Sequence, residues 1–131
     1  MFDDKYKRES DILPNKILGC AIEVHKQLGP GLLESAYESC LCYELSKLGL
    51  EFKRQLPMSL KYKDVFLDIG YKIDLLISDL VIVELKCVEE VNKIHKAQLL
   101  TYIKLSNKWL GLILNFNVTT LKDGIHRLVL G

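Results

Sequence analysis

The chain has 131 residues, a net charge of +1, 49% hydrophobic and 27% charged residues. This length and balance are typical of one globular domain that buries a substantial core. The near-neutral charge excludes a protein that binds nucleic acid through overall basicity, so any site for phosphates must be local. We expect a single domain over residues 1–131, with residues 1–12 as a flexible N-terminal lead.

Targeting signals and metal-binding cysteine motifs are not found in the sequence. The first ten residues, MFDDKYKRES, are charged and lack the apolar segment of a signal peptide. No stretch approaches the roughly 20 apolar residues that span a bilayer, so we expect a cytoplasmic protein with no membrane partner. The four cysteines show no CxxC pair and no zinc-ligand spacing, and we expect them to be reduced and mostly buried.

Two helices are predicted at the start of the chain. The first covers residues 13–28, with Pro14 in its first turn, and ends at the GPG that follows. The second runs from about residue 32 to residue 48. At 100° per residue Glu34 falls in line with Leu41, which predicts a carboxylate on the buried face. An acid that favours the helix dipole at the helix start is the alternative explanation of Glu34.

The remaining elements are predicted from alternation of apolar residues and from turn signals. They are an edge-like strand, a long strand or two strand pieces hinged at Gly70, a third strand, a helix and two further strands, at about 51–62, 65–77, 80–88, 91–106, 109–116 and 125–130. The order ααβββαββ predicts an α/β or α+β domain with a mixed β-sheet flanked by α-helices.

Charged residues interrupt two of these apolar strands. Glu84 and Lys86 share one face of the third strand, and Asp74 stands between apolar residues of the second. A two-residue loop between the strands would put Asp74 and Glu84 on opposite faces, whereas a three-residue loop, 78–80, would pair them directly. Paired carboxylates repel each other unless a cation lies between them.

These residues suggest a site for a hard metal ion. Asp74, Glu84 and the backbone carbonyl of Leu85 would supply oxygen ligands to Mg²⁺, which keeps several waters. Lys86 would lie beside the metal, where it could orient a water or stabilise charge on a phosphate. Glu34 would add a ligand through a water. The alternative for Glu84 and Lys86 is an ion pair at the sheet edge, which contributes little at a surface.

The helix predicted at about 91–106 has two different sides. His95, Gln98 and Tyr102 cluster on one side, and we expect Gln98 and Tyr102 to face the sheet and the site. An ordinary core tyrosine with a capping amide is the alternative. Three lysines lie on the opposite side, which we interpret as a solvated face: Lys93, Lys96 and Lys104.

The order and spacing of these motifs resemble a known family. The pattern D-x9-E-x-K, from Asp74 to Lys86, resembles the PD-(D/E)xK nuclease superfamily, whose restriction-endonuclease-like core is αβββαβ. GLLESAY, followed by VELK and HKAQLLTY, resembles the small prokaryotic GxxExxY proteins within that superfamily. The resemblance covers residues 17–130. One departure is Ile73, where the name of the superfamily has proline.

The resemblance implies a fold, a site and an activity. Its candidate catalytic residues are Glu34, Asp74, Glu84, Lys86 and, as an accessory, Gln98. Further accessory candidates are Tyr37, which we expect mainly to pack, His95 and Tyr102. The leading hypothesis is a nuclease that uses Mg²⁺ or Mn²⁺ to hydrolyse phosphodiester bonds of DNA, in preference to RNA. A homodimer is attractive because one such domain has a single site.

A second hypothesis places the same fold in a different functional class. The chain would be a nuclease-like module that binds nucleic acid or a protein partner without cutting. The near-neutral charge and the small size favour this alternative, because little surface is left for gripping a duplex.

Overall fold

The computed structural model describes residues 4–130, and for residues 4–10 and 69 it describes the backbone alone. The elements in chain order are α1 (Asp4–Leu28), α2 (Glu34–Lys47), β1 (Phe52–Tyr62), β2 (Val65–Ile77), β3 (Val81–Lys86), α3 (Lys93–Leu105), β4 (Leu110–Asn115), a 3₁₀ turn (Leu121–Gly124) and β5 (Ile125–Val129). The predicted order ααβββαββ is confirmed.

The first helix is longer than predicted. It begins at Asp4, so that Pro14 lies inside the helix rather than in its first turn. Proline has no N–H to donate to the preceding turn, which makes it a good start signal but not an obligatory one. The predicted flexible lead, residues 1–12, is therefore helical from Asp4 onward, and its first three residues lie outside the described part of the chain.

The five strands form one mixed sheet in the order β1-β2-β3-β4-β5. β3 and β4 are parallel and are connected through α3, whereas the other neighbouring strands are antiparallel. The parallel pair is buried along almost its whole length, as parallel strands covered on both faces usually are. β1 is an edge strand, as its Pro57 predicts.

Helices cover both faces of the sheet, which gives three layers. A larger apolar cluster lies between the sheet and α1 with α2, and a smaller one lies between the sheet and α3. The main helical contributors are Ile17, Val24, Leu41 and Leu45 to the larger cluster, and Leu99 and Ile103 to the smaller one. Gly111 of β4 allows α3 to lie close, because a Cβ there would be 2.8 Å from Cδ1 of Leu99.

The β2–β3 hairpin has the loop length on which the site hypothesis depends. Ile77 pairs with Val81, so the loop contains three residues, 78–80. By extension of this register, Asp74 lies across from Glu84. The three-residue loop is therefore confirmed, and the two-residue alternative is wrong.

The β1–β2 hairpin extends beyond the rest of the sheet. The pairing of β2 with β3 ends at Leu75, whereas β2 continues to pair with β1 as far as Val65. We call residues 59–68 the arm. At its base the register shifts next to Gly70, which has a φ of +76°. β2 is nevertheless one strand, so the prediction of a long strand at 65–77 is confirmed.

Two further expectations concern the cysteines and membranes. The four cysteines are free thiols, as predicted, with Cys20 and Cys42 buried and the other two partly exposed. None of the helices in residues 4–130 is both long enough and apolar enough to cross a membrane.

Candidate active site at the β2–β3 fork

β2 and β3 separate at Asp74 and Glu84, and we call this point the fork. The last backbone pair before it joins Leu75 to Val83. At the fork the N–H of Asp74 donates to Oε2 of Glu84 at 2.8 Å, and the N–H of Leu85 donates to Oδ2 of Asp74 at 2.9 Å. Carboxylate oxygens therefore accept backbone N–H groups where the ladder ends, and the two acids meet between the strands.

The side chains of β2 also change face at the fork. Leu75 packs on the side of α1 and α2, but Ile73 packs on the side of α3. In a regular strand, residues two apart share a face. Across from Asp74 on β1, Gln55 has a φ of +48°, a left-handed conformation that costs a residue other than glycine about 1–3 kcal/mol. Strained backbone of this kind is often found at functional sites.

A cavity of about 380 Å³ opens beside Asp74. It is lined by Glu34, Ser35, Glu38, Gln55, Asp74 and Leu85. Glu84 and Lys86 are not among the lining residues. The cavity thus joins the start of α2 to the fork, and three carboxylates border it.

The buried acid of α2 is Glu38, a residue that the sequence analysis missed. Glu38 is 7% exposed, whereas Glu34 is exposed, so the prediction that Glu34 lies on the inward face is wrong. The helix begins at Glu34, whose Oε2 instead accepts the N–H of Cys87 at 3.3 Å at the rim of the cavity. Glu38 precedes Leu41 by three residues and Leu45 by seven, a helical spacing that could have identified it.

A chain of hydrogen bonds connects Glu38 to the fork. Arg54 donates to Oε2 of Glu38 from Nε at 3.1 Å and from Nη2 at 3.0 Å. Nε2 of Gln55 donates to Oε1 of Glu38 at 2.7 Å and to Oδ1 of Asp74 at 3.3 Å. Arg54 and Gln55 were not predicted to have a role. Neighbours in a regular strand point to opposite faces, so their contact with one carboxylate is not expected from strand alternation.

The two acids at the fork hold their protons more tightly than usual. Burial, reinforced by the charge of Asp74, raises the pKa of Glu84 to about 8. Burial also raises the pKa of Asp74, although the N–H of Leu85 and the amide of Gln55 oppose this shift. Near neutral pH the pair therefore retains a proton, since two adjacent buried carboxylates do not both ionise easily.

The side chains at the fork offer a small set of possible ligands for a divalent metal ion. Within residues 4–130, no three side chains of His, Cys, Asp or Glu are close enough together to hold a metal. Mg²⁺, however, usually binds through one or two carboxylates and keeps several waters. Asp74, Glu84 and the carbonyl of Leu85 fit this smaller set, because a divalent cation would offset the repulsion between the two buried acids.

Lys86 is half-buried at the end of β3. Burial raises the pKa of both Asp74 and Glu84, and the charge of Lys86 opposes this rise. None of the ion pairs among the described side chains contains Lys86, so the alternative of a simple Glu84–Lys86 pair is not found. The carbonyl of Lys86 accepts the N–H of Phe116 at 2.9 Å, which fixes the backbone that carries the lysine.

The backbone that leaves β3 is fixed by Asn115 at the end of β4. Asn115 is 2% exposed, and its side chain bonds both backbone groups of Val88: Oδ1 accepts the N–H at 3.1 Å and Nδ2 donates to the carbonyl at 2.9 Å. This residue was not predicted to have a role, and its contacts extend the sheet beyond its last strand pair.

The accessory candidates on α3 occupy different environments. Tyr102 is buried, and burial followed by the charge of Glu84 raises its pKa, which places it near the fork. Gln98, one turn earlier, is half-buried, and its role stays a prediction. His95 instead belongs to the capping box of α3, since its Nδ1 accepts the N–H of Asn92 at 3.1 Å.

Tyr37 packs, as predicted, and also fixes the loop before α2. It is fully buried and stacks on Phe116 with ring centroids 4.4 Å apart. Its hydroxyl donates to the carbonyl of Gly29 at 2.5 Å and accepts the N–H of Leu32 at 3.2 Å. The tyrosine of the GxxExxY pattern therefore positions the turn that leads to Glu34.

Comparison with known proteins gave one match. A family model described as the PD-(D/E)XK nuclease superfamily matches residues 11–128. No curated protein and no solved structure matched the chain. The matched range contains the fork and all of the sheet except Val129, and the mixed sheet flanked by helices is consistent with a restriction-endonuclease-like core.

Proposed function

Because the chain belongs to the PD-(D/E)XK nuclease superfamily, we propose that it is a metal-dependent nuclease that hydrolyses phosphodiester bonds of DNA at the fork. Within the superfamily we assign it to the GxxExxY group. The observation that supports the proposal most is the meeting of the two acids, in which the N–H of Asp74 lies 2.8 Å from Oε2 of Glu84.

The proposed cofactor is Mg²⁺ or Mn²⁺. Nucleases of this superfamily generally use divalent metal ions. In this chain Asp74, Glu84 and the carbonyl of Leu85 would hold the ion, and Glu34 would contribute through a water. When bound, the ion supplies positive charge that lowers the pKa of a water and stabilises the charge on the phosphate.

The side chains of the fork have separate tasks in this proposal. Asp74 is held in one orientation by the N–H of Leu85. Glu84 carries a proton near neutral pH and must release it before both carboxylates act as ligands. Lys86 places an ammonium group beside the acids, where it stabilises the charge that develops on the phosphate. Tyr102 borders the fork from α3, and Gln98, one turn earlier, is the second accessory residue in this proposal.

Cleavage assays with variants of the fork test this proposal. We expect the purified protein to cleave DNA with Mn²⁺, and Lys86→Ala or Asp74→Ala to lower the cleavage rate by about 100-fold or more. Lys104→Ala is the matched control, since Lys104 is exposed on the opposite side of α3, and it should cleave at the wild-type rate. Cleavage that survives both substitutions at the fork would contradict the proposal.

The net charge of +1 favours one other candidate function. In this case the chain is a nuclease-fold module that binds nucleic acid or a protein partner without cutting. Calorimetry with Mg²⁺ and Mn²⁺ separates the two functions. Binding that Asp74→Asn abolishes supports the nuclease, whereas no binding at millimolar concentration by the folded protein supports the module.

A further inference from the structure

Both oxygens of the Asp74 carboxylate are held by hydrogen bonds from different elements. Oδ2 accepts the N–H of Leu85 from β3 at 2.9 Å, and Oδ1 accepts Nε2 of Gln55 from β1 at 3.3 Å. A carboxylate held at both oxygens cannot rotate freely about its last side-chain bond. The orientation of Asp74 therefore depends on Gln55 as well as on the backbone of its neighbouring strand.

Gln55 is itself held by a buried acid. Its Nε2 donates to Oε1 of Glu38 at 2.7 Å, a shorter contact than the one to Asp74. One amide nitrogen thus uses both of its hydrogens, one for each carboxylate. The bond to a charged, 7% exposed partner gives the amide a single position.

Arg54 reduces the repulsion that Glu38 would otherwise exert on the acids of the fork. A third ionised acid close to Asp74 and Glu84 would increase their mutual repulsion. Arg54 donates from two nitrogens to Oε2 of Glu38, at 3.1 and 3.0 Å, which offsets part of the charge of that carboxylate. Oε1 of Glu38 remains available to the amide of Gln55.

The backbone of β1 is distorted at the residue that makes this contact. Neighbouring residues of a regular strand point to opposite faces, yet Arg54 and Gln55 both reach Glu38. The φ of +48° at Gln55 allows it. Glutamine rarely adopts this conformation, so the strand is strained at the point where its side chain contacts the site.

We propose that Gln55 is a positioning residue that orients the Asp74 carboxylate for the metal ion, and that Glu38, paired with Arg54, holds Gln55 in place. The inference rests on the proposed function, because the orientation of Asp74 has a consequence only if Asp74 is a ligand. None of these three residues belongs to the D…ExK or GxxExxY patterns.

Gln55→Asn tests the proposal while keeping the amide. Asparagine tolerates the left-handed conformation well, but its shorter side chain cannot bridge Glu38 and Asp74. We expect Mn²⁺ to bind about tenfold more weakly by calorimetry, as for other partners of metal ligands, with an unchanged unfolding midpoint. Gln27→Asn is the matched control, because Gln27 also donates to a glutamate, Glu23, on the exposed surface of α1.

The outcomes separate this inference from the proposed function. Wild-type affinity in Gln55→Asn, together with loss of binding in Asp74→Asn, overturns the role of Gln55 and leaves the nuclease proposal intact. A fall in the unfolding midpoint that accounts for the weaker binding would give Gln55 a structural role only, and it also overturns the inference.

Nuclear magnetic resonance on the wild-type protein gives an answer even if Gln55→Asn does not fold. The N–H of Leu85 and the side-chain amide of Gln55 donate to the two oxygens of Asp74, so both signals should shift as Mg²⁺ is added. A shift of Leu85 alone overturns the role of Gln55. If neither signal shifts, Asp74 is not a metal ligand, and the proposed function fails together with the inference.

Discussion

β3 differs on its two sides, and the difference separates the stability of the protein from its chemistry. Toward β4, pairing extends over the whole strand, from Val81 to Lys86. Toward β2, pairing stops at Val83, and carboxylates accept the backbone N–H groups beyond it. We call the side of β3 toward β4 the closed side and the side toward β2 the open side. The closed side contributes backbone hydrogen bonds and an apolar core, whereas on the open side the backbone pairing stops before the end of the strand. Where the pairing of β2 with β3 stops, two acids can be held close together inside a stable sheet.

The largest effect should come from the closed side. Leu112 is fully buried in β4 and pairs with Val83. We expect Leu112→Ala to lower the free energy of unfolding by about 3 kcal/mol, because it leaves a cavity in the core. Urea denaturation measures this loss. Leu48→Ala is the control, since Leu48 is 55% exposed and should change stability by less than about 0.5 kcal/mol.

Urea denaturation of Asp74→Asn tests whether the open side contributes less stability than the closed side. Asparagine keeps an oxygen for the N–H of Leu85 and removes the charge that repels Glu84. The NH₂ group of asparagine loses the hydrogen bond from Gln55, which offsets part of this gain. We therefore expect Asp74→Asn to change the free energy of unfolding by less than about 1 kcal/mol. A loss close to that of Leu112→Ala would mean that the open side also carries the stability of the sheet.

A smaller effect should appear as a dependence of stability on pH. The pKa of Glu84 is raised from 4.5 to about 8 in the folded protein. The folded protein binds more protons than the unfolded chain in this range, so its free energy of unfolding falls as pH rises from 4.5 toward about 8. Without metal we expect the free energy of unfolding to fall measurably across this interval.

Glu84→Gln isolates the contribution of this one acid. Glutamine cannot ionise, so the difference in free energy of unfolding between the variant and the wild type should grow in favour of the variant as pH rises. Urea titrations at about pH 5 and about pH 8, with a chelator present, measure this difference. Parallel pH profiles for the two proteins would show that Glu84 is not protonated at the open side.

The smallest effect concerns the loop that brings α2 to the open side. Tyr37→Phe keeps the stacking on Phe116 but removes the hydroxyl that bonds Gly29 and Leu32. We expect a loss of about 1 kcal/mol in the free energy of unfolding. Faster hydrogen exchange at Leu32 should accompany it, because its N–H loses its acceptor. Unchanged exchange at Leu32 would show that other contacts hold the loop.

The sequence was sufficient to predict the open side in outline. Local patterns are strong there: apolar alternation predicts both strands, and a loop of three residues pairs Asp74 with Glu84. With a loop of three residues, the D-x9-E spacing therefore places the two acids across from each other. Strand order and the parallel pairing of β3 with β4 were not predicted, although a helix between two strands is typical of a parallel pair.

The position of the helical acid was harder to predict. Glu34 lies on the apolar stripe of a helical wheel. A helical wheel does not show where a helix begins, however, and α2 begins at Glu34 itself. Glu34 and Ser35 at the start of the helix are exposed, and Glu38, one turn later, is the acid that packs inward. Glu34 still reaches the rim of the cavity through its contact with Cys87.

Gln55 could not be predicted from local pattern at all. Its left-handed backbone is unfavourable for glutamine and is compensated by contacts with Glu38 and Asp74 from other elements. Propensity and alternation describe only what a segment prefers by itself. For the same reason Pro14 suggested the start of α1, while the chain before it continues the helix.

The change of face at Gln55 and Asp74 separates the arm from the site. The fork is fixed by contacts with α2 and β3, whereas the arm, residues 59–68, ends in a tight turn at Lys63 and Asp64 far along the hairpin. Adding or removing paired residues at this end changes how far the hairpin reaches but leaves the carboxylates where they are. The length of the arm is thus free to vary, in the way that surface hairpins tolerate insertions, while the acids at the fork stay in place.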